Sequence, residues 1–493
     1  MKNLLTYLLF ALNSSVCLAQ HDAYWPFGDS AAIQFNNSIP AASISGLHTL
    51  ETSSAYCDSS GNMLTYIGSG IPTNKLIIFN RLHQVMLNGD SINGYSSASQ
   101  GSLIIPYPGS NDSLMVLSIS QIAVFPNFYW RVYSAIISLS GDSGRGVVMS
   151  ANDTLPWNYT DLTEKMIAVR HGNGRDWWLI LHSAGMQLNK NYITYLITPY
   201  GINGPFTQSL PTSNFHFAGD IAGQMTISNQ GDKIAFAGVG GTLDVLYFDR
   251  CSGSLTLRNT YGFAAQSGQN GYYGCSFSQD GNKLYASQAE HYGHDSIFQW
   301  DLNTNNKTFL WVSPDSVTIG QHLRGSDGRI YVSCSYGLNN STSLDSSNQY
   351  LSTINSPDSL GLSCNFVPYQ IGLGGRRSFI GLPNLPNYNL GRMTGSSCDS
   401  LGNVGINDLN IKDTRFKIYP NPTIENLLIR FEGFPANNFL ISIFTIEGRI
   451  IYEREISELH KTVEIDVSDL SEGIYIISMQ SKDGRWVRKF IKQ

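Results

Sequence analysis

The chain is short of charge. Only 14% of its 493 residues are Asp, Glu, Lys or Arg, against ~25% in an average soluble domain. Neither sign dominates, with 31 Lys and Arg against 37 Asp and Glu, so there is no basic excess to hold nucleic-acid phosphates. Disorder is excluded as well, because 42% of the residues are hydrophobic and can bury a full core. Long apolar runs are lacking: Leu4 to Leu12 is roughly half of the ~18 residues that a membrane-spanning helix needs. Cysteine is scarce, at 7 residues, and no C-x-x-C pair occurs, which argues against a cysteine zinc site.

What is present is β-forming. There are 47 Gly and 26 Tyr amid abundant Ser and Asn, the composition of a turn-rich protein with polar, weakly charged surfaces. At the start, Lys2, the apolar stretch Leu4–Leu12 and the small residues around Cys17-Leu18-Ala19 form a secretory signal peptide over residues 1–19. Export leaves Cys57, Cys251, Cys275, Cys334, Cys364 and Cys398, an even number that favours disulfides outside the cytoplasm. Cys251 and Cys275 are near in sequence and are the expected pair. Cys334, Cys364 and Cys398 would supply a second bridge.

Charge density changes near residue 411. From Lys412 onward 12 basic and 12 acidic residues occur in 82 positions, roughly 29%, against roughly 11% before. The Gly/Ser/Asn-rich stretch 393–412 reads as a linker, separating a domain over 20–392 from a tail over 413–493.

The large domain repeats. Turn signals precede β-rich runs at Ser60-Gly61-Asn62, Ser110-Asn111-Asp112, Asn173-Gly174-Arg175, Gly231-Asp232-Lys233, Asp280-Gly281-Asn282 and Asp327-Gly328-Arg329. A second β run follows each, among them Leu76–Asn80, Tyr192–Thr198 and Ser296–Asp301. Units of roughly 50 residues with several short strands and no helical period are propeller blades. The expected fold is all-β: a seven-bladed β-propeller, with six or eight as the alternatives, followed by a small Ig-like β-sandwich. The seventh blade would pair Phe379–Leu382 with Ala32–Phe35, closing the ring and removing open sheet edges.

The segments Tyr24-Trp25-Pro26-Phe27-Gly28, His171-Gly172-Asn173-Gly174-Arg175-Asp176-Trp177-Trp178 and Phe248-Asp249-Arg250-Cys251-Ser252-Gly253 resemble exported bacterial YVTN/WD40-like β-propeller proteins. The tail resembles the type A C-terminal sorting domain of the type IX secretion system. That resemblance rests on Tyr419, Pro420, Asn421 and Pro422, then Gly448, then Leu470, Gly473 and Tyr475, and finally Lys489. It implies recognition by the type IX translocon and sorting machinery, and secretion or display on the outer cell surface via the periplasm. Alternating apolar residues in Asn426–Phe431, Val463–Val467 and Ile474–Ser478 independently give half-buried strands. Pro420 and Pro422 are expected to hold their stretch extended.

No catalytic, cofactor or metal motif emerges. Gly141-Asp142-Ser143-Gly144 looks like a protease nucleophile loop for four residues, but it falls where a hairpin turn is due. His291 and His294 could offer two metal ligands, but without nearby carboxylates on a regular element they are read as a loop. Gly238–Gly241 and Gly372–Gly375 precede no helix that could bind phosphate. Trp130, Trp157 and Trp177 are read chiefly as blade core. For a propeller-face ligand the residues chosen are Arg170, His171, Trp178 and His182. The expectation is a non-catalytic binding module for a glycan, peptide or protein, with no nucleic-acid partner and no transmembrane helix in the mature chain. An extracellular hydrolase or lyase is the alternative, and paired carboxylates at the propeller axis would favour it.

Overall fold

The computed structural model describes residues 20–36, 38–70, 75–124, 127–155, 162–183, 191–210, 218–262, 271–289, 294–314, 317–336, 347–399, 416–431, 439–445, 449–456, 462–481 and 484–493. The proposed signal peptide lies outside them. The chain divides into two compact units at Ser400/Leu401.

In the first unit every sheet is a local antiparallel meander, so each strand finds its partner a few residues away. Seven such sheets follow one another between Tyr24 and Gly372, the first of three strands and the others of four. The first strands of the second to seventh sheets are Ser53–Cys57, Ser102–Pro106, Leu162–Arg170, Gly223–Ile227, Tyr272–Phe277 and Val317–Arg324. Each lies beside the first strand of its neighbour, which makes these the inner strands of a β-propeller. The recurrent turn signals link first to second strands. At Asp58 the carboxylate accepts the N–H groups of Ser60 and Asn62, both at 2.9 Å, while Gly61 takes a positive φ of 86° that other residues rarely adopt.

Most strands have both faces covered by adjacent sheets, so their apolar residues run on without alternation. Trp177–Ser183 is buried throughout. Trp177 packs into one inter-sheet core and Trp178 into the next.

Ring closure differs from the expected pairing. Ala32–Phe35 belongs to Asp29–Asn36, which pairs with Tyr24–Phe27 and Ile39–His48 and, through Asp29 alone, forms an isolated bridge to Arg377, and Phe379–Leu382 is not a strand. The first and seventh sheets instead close through packed rings, with Tyr331 edge-on to Trp25 and Phe35.

The segment after Gly372 runs along the axis. Its Ile380 carbonyl accepts from Gln321 N–H, and Leu382 N–H donates to Gln321 Oε1 at 2.7 Å. Asn384 Nδ2 donates to the carbonyls of Ser102 and Met166, and Tyr388 OH reaches Ala55 and Ile104. This strap thus bonds to the inner strands of four sheets. Its seat is tight: a Cβ on Gly381 would lie 2.2 Å from Glu51 Cα, and one on Gly320 would lie 2.1 Å from the Ile380 carbonyl oxygen.

A disulfide joins Cys251 to Cys398 and corrects the expected Cys251–Cys275 pair. Cys251 follows the third strand of its sheet, in a turn, whereas Cys275 is buried mid-strand in the next sheet's inner strand. Nearness in sequence here spans the radius of a blade. Cys275, Cys334, Cys364 and Cys57 are buried and take part in no disulfide, so the expected second bridge is not formed. The bridge, with Met393 N–H donating to Gly172 O at 2.7 Å, holds residues 393–399 of the expected linker on the first unit.

The second unit has two sheets. Phe416–Tyr419, Asn426–Phe431 and Thr462–Asp466 form one; Ile450–Ile456, Phe439–Thr445, Gly473–Ser481 and Gly484–Lys492 form the other. A single core holds Leu427, Ile429, Ile441, Ile443, Ile477 and Phe490.

Candidate functional site

The axis of the propeller has two ends. The end where the inner strands begin gathers side chains that lie next to, or at the first positions of, those strands. Glu51, just ahead of Ser53–Cys57, is only 5% exposed. Its carboxyl accepts from Tyr273 OH and, at 2.8 Å, from Ser97 Oγ. Glu164, half-buried at the start of Leu162–Arg170, accepts from Ser99 N–H at 3.1 Å and Ser99 Oγ at 3.0 Å. Ser99 Oγ in turn accepts from Gly223 N–H at 3.1 Å, which ties Glu164 to the next inner strand.

Burial and the neighbouring Glu164 push the Glu51 carboxyl up to about 8. Burial raises Glu164 as well, and hydrogen bonds from Ser99 and the charge of Lys165 work against that rise. Beside them Lys165 is fully buried, with Nζ donating to the carbonyls of Asp220, Ile221 and Ala222 at 2.6, 3.2 and 2.8 Å. Its burial brings the ammonium down to about 8, despite Asp220 and Glu164 nearby. Asp220 in turn accepts from Gly240 N–H and Thr242 Oγ1. Chemically, the mouth is a pair of coupled carboxyls, one favoured in its protonated form, set in a hydrogen-bonded rim.

Sequence reasoning selected other residues, and the structure places them inside the fold. Trp178 is buried, with its indole N–H on the Arg250 carbonyl at 2.9 Å. His171 Nε2 meets the Cys251 carbonyl at 3.0 Å. Arg170 lies over the Trp177 ring and donates to Gly174 O. His182 is 1% exposed, edge-on to Tyr192. Arg170, His171 and Trp178 gather around the Arg250 turn, and His182 stands apart near Phe236; none offers an open ligand face. Trp130 packs edge-on to Tyr95. Gly141–Gly144 is a turn between two paired strands, as expected. His294 bonds the Ser313 carbonyl, and His291 and Trp157 lie outside the described residues. Glu51, Glu164 and Tyr273 were missed because the repeat was read from the second and third strands of each sheet. A usable signal exists in Gln100, Gln224 and Gln321, polar residues 6 to 10 positions before a turn motif, whose amides bond to Met225 and His322 on other inner strands and to Leu382 of the strap.

In the tail, Asn421 Nδ2 donates to Lys489 O at 3.0 Å while its Oδ1 accepts from Ile491 N–H at 2.9 Å, stitching the Pro-Asn-Pro bend to the last strand. That stretch bends after Tyr419 and is not extended, since Asn421 must turn back to reach that strand. Tyr475 OH closes onto Ser471 O at 2.8 Å and its ring stacks on Phe490. Leu470 packs on the core, and Gly473 pairs with Lys492. Tyr419 and Lys489 remain exposed, as does Pro420, and so does Pro422 beside them. Gly448 lies outside the described residues.

Residues 417–493 match the secretion system C-terminal sorting domain family, the type IX sorting domain. The protein is therefore directed to the cell surface or the extracellular space, and its tail engages the type IX machinery. No helix among the described residues is long and apolar enough to cross a membrane. No curated protein matches the chain. Among solved structures it is similar to a Bacteroides uniformis protein provisionally assigned as a 6-phosphogluconolactonase. The two are 12% identical with a TM-score of 0.42, over 71% of this chain and 98% of that one. The Pseudomonas aeruginosa periplasmic gluconolactonase PpgL is 12% identical, with a TM-score of 0.34 over 80% and 94%. The β-propeller domain of Myceliophteria thermophila Cps50 (Swd1) is 9% identical, with a TM-score of 0.40 over 65% and 92%. Such distant likeness says nothing of activity.

Proposed function

We propose that the protein is an exported seven-bladed β-propeller binding module, carried to the surface by a signal peptide over residues 1–19 and an Ig-like sorting domain over 413–493. One observation supports binding over turnover: the axis is filled by the protein's own strap, and each carboxyl of the mouth is already engaged by its neighbours. A stiff polar rim formed in this way recognises a ligand rich in hydrogen-bond donors, a glycan or a peptide, through the exposed parts of Glu164 and Tyr273.

The second reading, a hydrolase or lyase, is favoured by the carboxyl pair itself. A protonated Glu51 beside an ionisable Glu164 is the division of labour used in general acid–base chemistry. The purified secreted chain, incubated with soluble glycans and peptides, separates the two. Saturable binding that Glu164→Gln weakens, without release of new reducing ends or amines, is the expected result. Turnover that Glu164→Gln abolishes overturns the binding reading.

A further inference from the structure

At the opposite end of the axis, where the inner strands finish, a cavity of about 80 Å³ opens beside the strap. One water needs roughly 10–15 Å³ in such a space, so several fit. Asp22 and Arg324 line it, with Thr226, Ser276, Pro383 and Leu385. Arg324 is held in place, with guanidinium nitrogens on Gln279 Oε1 and Asn229 Oδ1. Asp22 is held more loosely: its backbone carbonyl accepts from Trp25 Nε1, and its carboxyl has its own backbone N–H as a local donor and the charge of Arg324 near it. Burial pushes that carboxyl up, while the backbone N–H, Arg324 and His21 act against the rise. A half-buried carboxyl with one local donor keeps acceptor capacity that a ligand or water in the cavity can fill.

We infer that this cavity is a second ligand site, separate from the Glu51–Glu164 mouth, which takes a small neutral polyol of about one sugar ring. A bare cation there meets Arg324 and a bare anion meets Asp22. A neutral ring presents hydroxyl donors to Asp22, accepts from Thr226, and lays its C–H face on Pro383 and Leu385. The inference does not depend on what the mouth binds.

The test is ligand-detected NMR on the full secreted chain, with methyl α-D-glucopyranoside, methyl α-D-galactopyranoside and myo-inositol as probes and glycine and acetate as charged controls. Saturable millimolar binding of at least one neutral probe is expected, and Asp22→Asn should weaken it about tenfold by removing a charge-assisted hydrogen bond. Thr226→Val, a second variant that leaves Asp22 intact, should weaken it about threefold through loss of one neutral bond. An unchanged near-UV circular dichroism spectrum shows that the variants are folded. No saturable binding of any neutral probe overturns the inference, as does preference for glycine or acetate. Binding retained in both variants but lost in Glu164→Gln also overturns it, since the sugar would then sit at the mouth.

Discussion

In the propeller unit charged residues are about a tenth of the sequence, yet several lie inside: Glu51, Lys165, Asp220 and Asp244 are all buried. The tail is nearly three times as dense in charge, yet Lys492 is the one buried charge among its described side chains. The propeller thus spends few charges and uses them to tie loops and inner strands around an axis. A two-sheet tail with one core has no such axis, and its charges face water. Low charge in a sequence therefore does not mean that charge is structurally idle.

The largest expected effect separates the units by covalent bonding. The Cys251–Cys398 bridge closes a loop with a sequence separation of 147, whereas the tail has no cysteine. Cys398→Ser should lower propeller stability by about 2–5 kcal/mol, read as a downward shift of one calorimetric transition while the tail's transition stays in place. If both transitions move together, the two units do not unfold independently and the comparison fails.

Next comes the strap. Asn384→Ala removes donors from the carbonyls of Ser102 and Met166 inside the axis and should cost about 2–4 kcal/mol; a denaturant midpoint equal to wild type would show that the strap adds little to the ring.

A smaller effect tests the buried charge directly. Because the Glu51 carboxyl is raised from 4.5 to about 8, the native state binds more protons than the unfolded chain between those values. Its contribution is full below pH 4.5 and declines as pH rises toward 8. Glu51→Gln should flatten that decline, a difference on the order of 1–3 kcal/mol at pH 8. Parallel stability–pH curves for the two proteins would contradict it.

The smallest effect belongs to the tail. Lys489 is exposed and pairs through its backbone with Ile476, so Lys489→Ala should leave stability within about 0.5 kcal/mol while reducing surface display measured on whole cells. A large loss of stability would place Lys489 in the fold and not in recognition.

Much of the fold was legible because it is local. Asp58 with Gly61, and Asp280 with Gly281, mark turns through chemistry confined to a few residues, and Asn426–Phe431 announced itself by alternation. The inner strands were harder to see: Ser53–Cys57 and Gly223–Ile227 are short, and their polar residues do not alternate with a solvent face, because both faces are covered. The residues of the mouth sit on those strands or just ahead of them. Trp178 and His171 were chosen as ligand residues since aromatic and titratable groups at strand ends often meet solvent. Here the turn bearing Arg250 and Cys251 covers them.

By itself the sequence determined the β class, the two-part division and the sorting tail, since periodicity, composition and short ordered motifs are properties of neighbouring residues. Only the tertiary structure decided that Cys251 meets Cys398, that residues 380–388 fill the axis, and that Glu51, Glu164 and Tyr273 converge. Those contacts join positions 100 to more than 300 residues apart, and no local pattern encodes a meeting that depends on closing a ring of sheets.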